Sequence, residues 1–388
     1  MKKLAIFGGK PAFDTPRHVG RPNLADKDKI MQALGSVISS RWLTNNGPRV
    51  QKFEEQICHE LAVDQCVAVA NGTLGLEIAA RALMPTLGEV IMPSFTFVAT
   101  AHALAWQGYT PIFADIDPYT HVLDLKSVES KITMRTVGIL GVHLWGTPCI
   151  PDELYKLARL HNLKLIFDAA HAFMCGPEGD FIGHYGDCEV FSFHATKFVN
   201  AVEGGAITTS NTFLARRLRR MRNFGFAGDG THGVEALGLN AKMSELHAAV
   251  GLANIEASQS FIEWNYNNYA GYMVGLDHSD IRLYPLCAQG NFQYIVIELL
   301  GELSADVLAS VLKAENVLAR RYFSPPCHLM APYKKDGQTL PATELVASRT
   351  LVLPTGLAMT QGEVAKVCEI VRYCVDHVEE VSKGVQHG

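Results

Sequence analysis

Seven short apolar runs are spaced along residues 66–210: CVAVA (66–70), EVIMPS (89–94), TPIFADI (110–116), TVGILGVHLW (136–145), KLIFDAAH (164–171), CEVFSFH (188–194) and GGAITTS (204–210). Most are continuously apolar rather than alternating, the pattern of strands buried on both faces. Between them lie segments such as LGLEIAARALM and PDELYKLARLHN, whose apolar residues recur three or four apart, as on one face of a helix. Strands and helices in alternation predict an α/β fold whose large domain has a mainly parallel, seven-stranded sheet between helices. A chain of 388 residues, 48% of them hydrophobic, has apolar material for that domain and a second one.

The tail has a different pattern. LNAKMSELHAAVGLANIEASQSFIEWNYNNYAGYM predicts one long amphipathic helix or a helix pair. A strand (FQYIVIEL), a helix (ADVLASVLKAEN), a Pro-rich loop (FSPPCHLMAPY) and a last helix (QGEVAKVCEIVRYCVDHVEEV) follow. The expected division is residues 1–255, an N-terminal arm with the large domain, and residues 256–388, a smaller α+β domain. No repeat or low-complexity tract interrupts it.

A net charge of −5 without blocks of like charge gives neither a nucleic-acid stripe nor a polybasic membrane patch. No run is long enough for a membrane span, and too few apolar residues precede the glycines of MKKLAIFGG for a secretory core. The nine cysteines form no CxxC pair and no His cluster stands at ligand spacing, so reduced thiols, no metal site and a cytoplasmic location are expected. Any anionic ligand must be caught locally.

Open parallel sheets bind ligands beyond the carboxyl ends of their strands, so the polar residues that follow each apolar run carry the functional reading. After CVAVA comes NGT: Gly72 lets a ligand approach the backbone, Thr73 can cap the helix that opens there, and the helix N-terminus favours phosphate. The same residues would also serve a plain strand-to-helix connection. Neither a GxGxxG after a strand nor a complete P-loop is present.

Asp168 ends the run KLIF, where a carboxylate loses water unless a cation or strong donor meets it. The small Ala169 and Ala170 leave room for a flat ring, and His171 is close enough to reach another part of it; a capping role for Asp168 is the alternative. In FSFHATK, Ser192 and His194 share a strand face and Lys197 follows a tight turn at the same edge. A surface charge is one reading of Lys197; the other is an amine that loses its proton among apolar groups and attacks carbonyls. Together an anion cradle, a carboxylate for a pyridinium nitrogen and an imine-forming lysine describe a holder for pyridoxal 5'-phosphate (PLP).

At these residues the sequence resembles the DegT family of sugar-nucleotide aminotransferases, which have the fold-type-I PLP architecture. The likeness covers nearly the whole chain, through RWLTNNGPRVQKFEEQ, VANGTLGLE, MPSFTFVATAHAL, GYTPIFADIDP, FDAAHA, FSFHATK, EGGAI, MRNFGF, LNAKMSELHAAVG and LVLPTGLAMT. The resemblance implies that Lys197 is the Schiff-base lysine and proton shuttle, and that Asp168 pairs with the pyridine nitrogen. It implies Phe97 stacked on the cofactor ring, Gly72, Thr73 and Ser192 at the phosphate, and His171 near the ring and its hydroxyl. Asn240 is expected to reach the phosphate of a neighbouring subunit, giving a homodimer with shared active sites.

The implied partners are L-glutamate and a nucleotide-linked keto sugar. HVGRPN, HLWGTPC and FSFHATKF are most similar to members that aminate dTDP-4-keto-6-deoxy-D-glucose, giving dTDP-4-amino-4,6-dideoxy-D-glucose. Amination at carbon three, a GDP or UDP carrier, a cyclitol ketone and a non-catalytic PLP-binding regulator are the alternatives. Asn45, Arg222, Asn223, Tyr322 and His328 are the implied substrate contacts; Arg222 could instead pair with a carboxylate and His328 cap its Pro-rich turn. Met174 stands where members often carry glycine, which bears on the shape of its loop.

Overall fold

The computed structural model describes residues 3–227, 233–287 and 289–387, and the chain divides into two units. The larger comprises Pro22–Ser258 with Cys287–Asn291; the smaller comprises Met1–Arg21, Gln259–Leu286 and Phe292–Gly388.

Each apolar run yields one strand of the larger unit: β1 (Gln65–Val69), β2 (Glu89–Pro93), β3 (Thr110–Ala114), β4 (Thr136–Val142), β5 (Lys164–Asp168), β6 (Cys188–Ser192) and β7 (Gly205–Thr209). They form a single sheet in the order β1-β7-β6-β5-β4-β2-β3. All neighbours are parallel except β7, which runs antiparallel to both β1 and β6. The reversal matters for the site. Because β7 enters where β1 and β6 leave, its first residue, Gly205, pairs with both Val69 and Ser192 at the carboxyl edge.

Around this sheet the unit has α1 (Lys27–Ser40), α2 (Pro48–Leu61), α3 (Gly72–Leu83), α4 (Val98–Trp106), α5 (Leu125–Ser130), α6 (Pro151–Leu160), α7 (Thr212–Met221) and α8 (Glu245–Glu256). Pro48 starts α2 without needing a donor, and the buried Glu245 accepts the next two amides, from Arg49 at 2.7 Å and Val50 at 3.1 Å. The helix pair expected in the tail appears as α8 and α9 (Ser258–Gly275), interrupted at Ala257.

The smaller unit holds an antiparallel sheet, β10-β9-β8, made from β8 (Ile281–Leu283), β9 (Ile295–Leu299) and β10 (Thr350–Leu353). Its further helices are α10 (Ala305–Ala314), α11 (Pro341–Arg349), α12 (Gln361–Asp376) and α13 (Val378–His387). Tyr272, Ile295, Ile297, Leu308, Val311, Leu351, Val367 and Val371 share one core, and Leu4 and Phe13 of the N-terminal arm belong to it. Glu315 fastens the arm by accepting the amides of Ala5 and Ala12, each at 2.6 Å. Residues 1–21 therefore group with the C-terminal unit, while from sequence they were expected with the large domain; the division falls after Ser258.

Candidate active site

The carboxyl edge of the large sheet gathers the chemistry-bearing residues. Where β1 ends, Asn71 caps α3 by accepting the Leu74 amide at 2.9 Å. That leaves the first amides of the helix, at Gly72 and Thr73, without intrahelical carbonyls. Two glycines make this corner narrow. A Cβ on Gly72 would come 3.2 Å from the Cβ of Ser192, and one on Gly205 would come 2.7 Å from the carbonyl carbon of Asn71. Gly72, Thr73 and Ser192, read separately from sequence, thus stand at one helix N-terminus suited to an anion.

Asp168 is the last residue of β5 and is buried. Its Oδ2 accepts from Thr100 Oγ1 at 2.8 Å and its Oδ1 from the Ala170 amide at 3.0 Å. Thr96 and Thr100 join hydroxyls at 3.0 Å, so the carboxylate is fixed by the first turn of α4. Burial raises the Asp168 carboxyl above the ordinary range, while Thr100, Ala170 and the nearby Lys197 pull it back. Lys197 closes a turn through its amide to His194 O at 2.8 Å and is half-buried. Burial lowers its ammonium to about 8, with Asp168 acting in the opposite sense. The free amine is therefore within reach at neutral pH.

His171 is half-buried, and burial followed by the charge of Lys197 holds it well below the usual imidazole range. Its ring stacks on Trp145 with centroids 5.5 Å apart, and its Nδ1 accepts the Trp145 amide at 3.4 Å. Phe97 immediately precedes α4 and leaves 58% of its surface exposed. Core packing does not use that ring; it is available to a ligand. Met174 has φ 57°, the left-handed region that glycine adopts most easily.

The expected substrate contacts are distributed. Asn45 lies exposed on the loop before α2 with φ 65°. Arg222 is buried, with Nη1 on Glu54 Oε1 and Ala68 O, each at 2.5 Å, and Nη2 on Asn46 Oδ1 at 2.8 Å. Its guanidinium braces the loop that carries Asn45. Asn223 bridges Asn240 in an antiparallel pair, and Asn240 is exposed. Tyr322 and His328 stand in the smaller unit: Tyr322 packs edge-on to Tyr294 at 6.3 Å, and buried His328 has Nε2 3.2 Å from Glu344 Oε1. Thr96, Thr100 and Trp145 had not been singled out from sequence, because small hydroxyls just before and inside a helix and an aromatic after a strand carry no periodic signal.

A lysine whose ammonium is lowered by burial, at the carboxyl edge of an α/β sheet, suits an enzyme that exchanges nitrogen with carbonyl compounds. The chain belongs to the DegT/DnrJ/EryC1/StrS aminotransferase family, which matches residues 25–372. It is 35% identical over 376 residues to a dTDP-4-amino-4,6-dideoxy-D-glucose transaminase of Shigella dysenteriae, covering 95% of this chain and all of that one. Among solved structures it resembles DesI, determined in the presence of its TDP-sugar product, with 45% identity, 98% of each chain covered and a TM-score of 0.92. It also resembles S. venezuelae DesV in complex with a ketimine intermediate, with 29% identity, 92% and 98% of the two chains covered and a TM-score of 0.82. Among the described residues no helix is long and apolar enough to cross a membrane.

Proposed function

We propose that the protein is a PLP-dependent transaminase that moves the amino group of L-glutamate to dTDP-4-keto-6-deoxy-D-glucose, forming dTDP-4-amino-4,6-dideoxy-D-glucose. The observation that carries this reading is the pairing of a buried, doubly bonded Asp168 with the electrostatically coupled Lys197. The likeness to the Shigella transaminase and to DesI supports the choice of sugar.

The residues present fit PLP. The glycine-narrowed corner at Gly72 and Gly205 offers amides to a phosphate, with Thr73 and Ser192 beside them. Asp168 would hold the ring nitrogen, Phe97 and His171 would contact the ring, and Lys197 would take the carbonyl. When bound, PLP supplies an aldehyde for an amine and a protonated ring that accepts electrons as a proton leaves the donor's α-carbon. Asp168 keeps a proton at the ring nitrogen, and Thr100 and Ala170 keep Asp168 in place. Lys197 moves the proton from the α-carbon, a task that requires the free amine favoured by its setting. Trp145 orients His171 through stacking and through the hydrogen bond from its backbone amide.

A cytoplasmic homodimer with shared active sites is part of the proposal. Exposed Asn240 would serve the phosphate of the neighbouring subunit, and the exposed Trp42, Leu43 and Phe224 are apolar surface that such an interface would cover. The test is a panel of dTDP-, GDP- and UDP-linked keto sugars and a cyclitol ketone, each incubated with L-glutamate, with the aminated carbon assigned by NMR. The dTDP-4-keto sugar should turn over fastest and gain nitrogen at carbon four. Preference for another ketone, or amination at carbon three, would overturn the assignment of substrate.

A further inference from the structure

Two polar residues interrupt otherwise apolar strand segments, His143 just after β4 and Glu189 inside β6. Neither contacts solvent: both side chains are 0% exposed, and His143 Nε2 lies 2.7 Å from Glu189 Oε1. Burying such groups is unfavourable unless they meet each other, and an apolar pair of similar volume would pack as well. Their placement has a consequence for the neighbouring strand. In the sheet order β5 lies between β4 and β6, so the side-chain bond spans the strand that ends in Asp168.

We infer that His143 and Glu189 form a positioning pair that ties β4 to β6 across β5 and thereby fixes the Asp168 carboxylate. The tie is directional. The Cys149 amide donates to His143 Nδ1 at 2.9 Å, so that nitrogen presents a lone pair and the ring proton sits on Nε2, aimed at Glu189. The His143 ring stacks on Phe167, the residue before Asp168, with centroids 4.5 Å apart and planes at 21°. The His143 amide donates to Asp168 O at 3.0 Å, and the amide after Asp168, that of Ala169, donates to Val190 O at 2.8 Å, next to Glu189. The backbone on both sides of Asp168 is thus held by the two residues' own strand segments. Glu189 Oε2 has no hydrogen-bond partner among the described residues, so the single bond from His143 is what Oε1 provides to the fold.

This deepens the proposed function and rests on Asp168 serving the ring nitrogen of PLP. A displacement of about 1 Å at such a group can slow a reaction by about 100-fold. The test uses PLP-loaded protein with Glu189→Leu, Glu189→Gln and His143→Phe. Three readouts are followed: the visible spectrum of the bound cofactor, the single-turnover rate of its bleaching by L-glutamate, and thermal melting. Glu189→Leu and His143→Phe should bleach about 10- to 100-fold more slowly at saturating glutamate, with little change in the glutamate concentration giving half the maximal rate, and should shift the spectrum. Glu189→Gln keeps an acceptor for Nε2–H and should stay within about threefold of the parent. If Glu189→Leu does not fold, Glu189→Asp, which withdraws the acceptor by one methylene, should show the slowed bleaching. Variants with lowered melting temperatures but parental spectra and bleaching rates would make the pair merely structural and overturn the inference. A parent protein without cofactor absorbance, or one that glutamate does not bleach, would instead defeat the proposed function, and the inference with it.

Discussion

Thr100 Oγ1 donates to Asp168 Oδ2 at 2.8 Å, with both groups buried. A hydrogen bond to a charged, buried acceptor contributes about 1.5–3 kcal/mol, so its removal acts on the carboxylate's charge and aim rather than on the fold at large. Thr100→Val keeps the shape and deletes the donor. The expected result is an Asp168 carboxyl raised further and a glutamate half-reaction slowed by about tenfold or more, measured by stopped-flow absorbance. Parental rates would mean that Asp168 needs no help from α4.

The depressed Lys197 ammonium gives a pH prediction for the cofactor-free protein. Burial disfavours the charged form, so the free amine appears at lower pH than in an ordinary lysine, with a midpoint of about 8. At pH 7 roughly one tenth is free base, against about four in ten thousand for a lysine at its reference value. Acylation of the Lys197 peptide, followed by mass spectrometry, should therefore rise through pH 8. Asp168→Asn removes the charge that favours the ammonium and should move the midpoint down. An upward move would reverse the assigned electrostatics.

Arg222 and Glu54 form an ion pair at 2.5 Å with side-chain exposures of 6% and 12%. Breaking such a pair strands a charge and typically destabilises by about 3–5 kcal/mol. Glu54→Gln and Arg222→Lys should thus show their main effect in denaturant unfolding, with a secondary disturbance of the Asn45–Asn46 loop. A raised KM for the sugar nucleotide at unchanged stability would return Arg222 to the role of substrate contact expected from sequence.

Gly72→Ala places a methyl 3.2 Å from the Cβ of Ser192, tighter than an ordinary contact. The corner proposed for the phosphate has to widen, and PLP should bind about tenfold more weakly by equilibrium dialysis, while melting of the cofactor-free protein changes little. Unchanged PLP affinity would remove this corner from the cofactor site.

The seven strands were legible because buried strands are continuous apolar runs, a local property of the chain. The antiparallel course of β7 was not, since pairing direction depends on where the chain returns, and only the structure sets Gly205 between Val69 and Ser192. Nor was the company of the N-terminal arm: Ala5 and Ala12 meet Glu315, about three hundred residues away, and no local pattern in the arm announces it. Lys197, Asp168 and His171 could be read because each follows an apolar run at a strand's carboxyl end. Phe97 was marked only by the resemblance, since nothing in its neighbours sets it apart, and it is exposed, whereas His143 and Glu189 were hidden inside apolar runs that had been taken for strands alone.

The central claim is that Lys197 holds a PLP aldehyde whose ring nitrogen meets Asp168. Its most direct test is the visible absorption spectrum of the purified, PLP-reconstituted protein before and after L-glutamate, recorded beside Lys197→Ala. The expected result is a yellow protein that glutamate bleaches, and a variant that lacks the lysine-linked absorbance. A colourless protein that PLP cannot reconstitute, or a Lys197→Ala variant with the parental spectrum and bleaching, would contradict it.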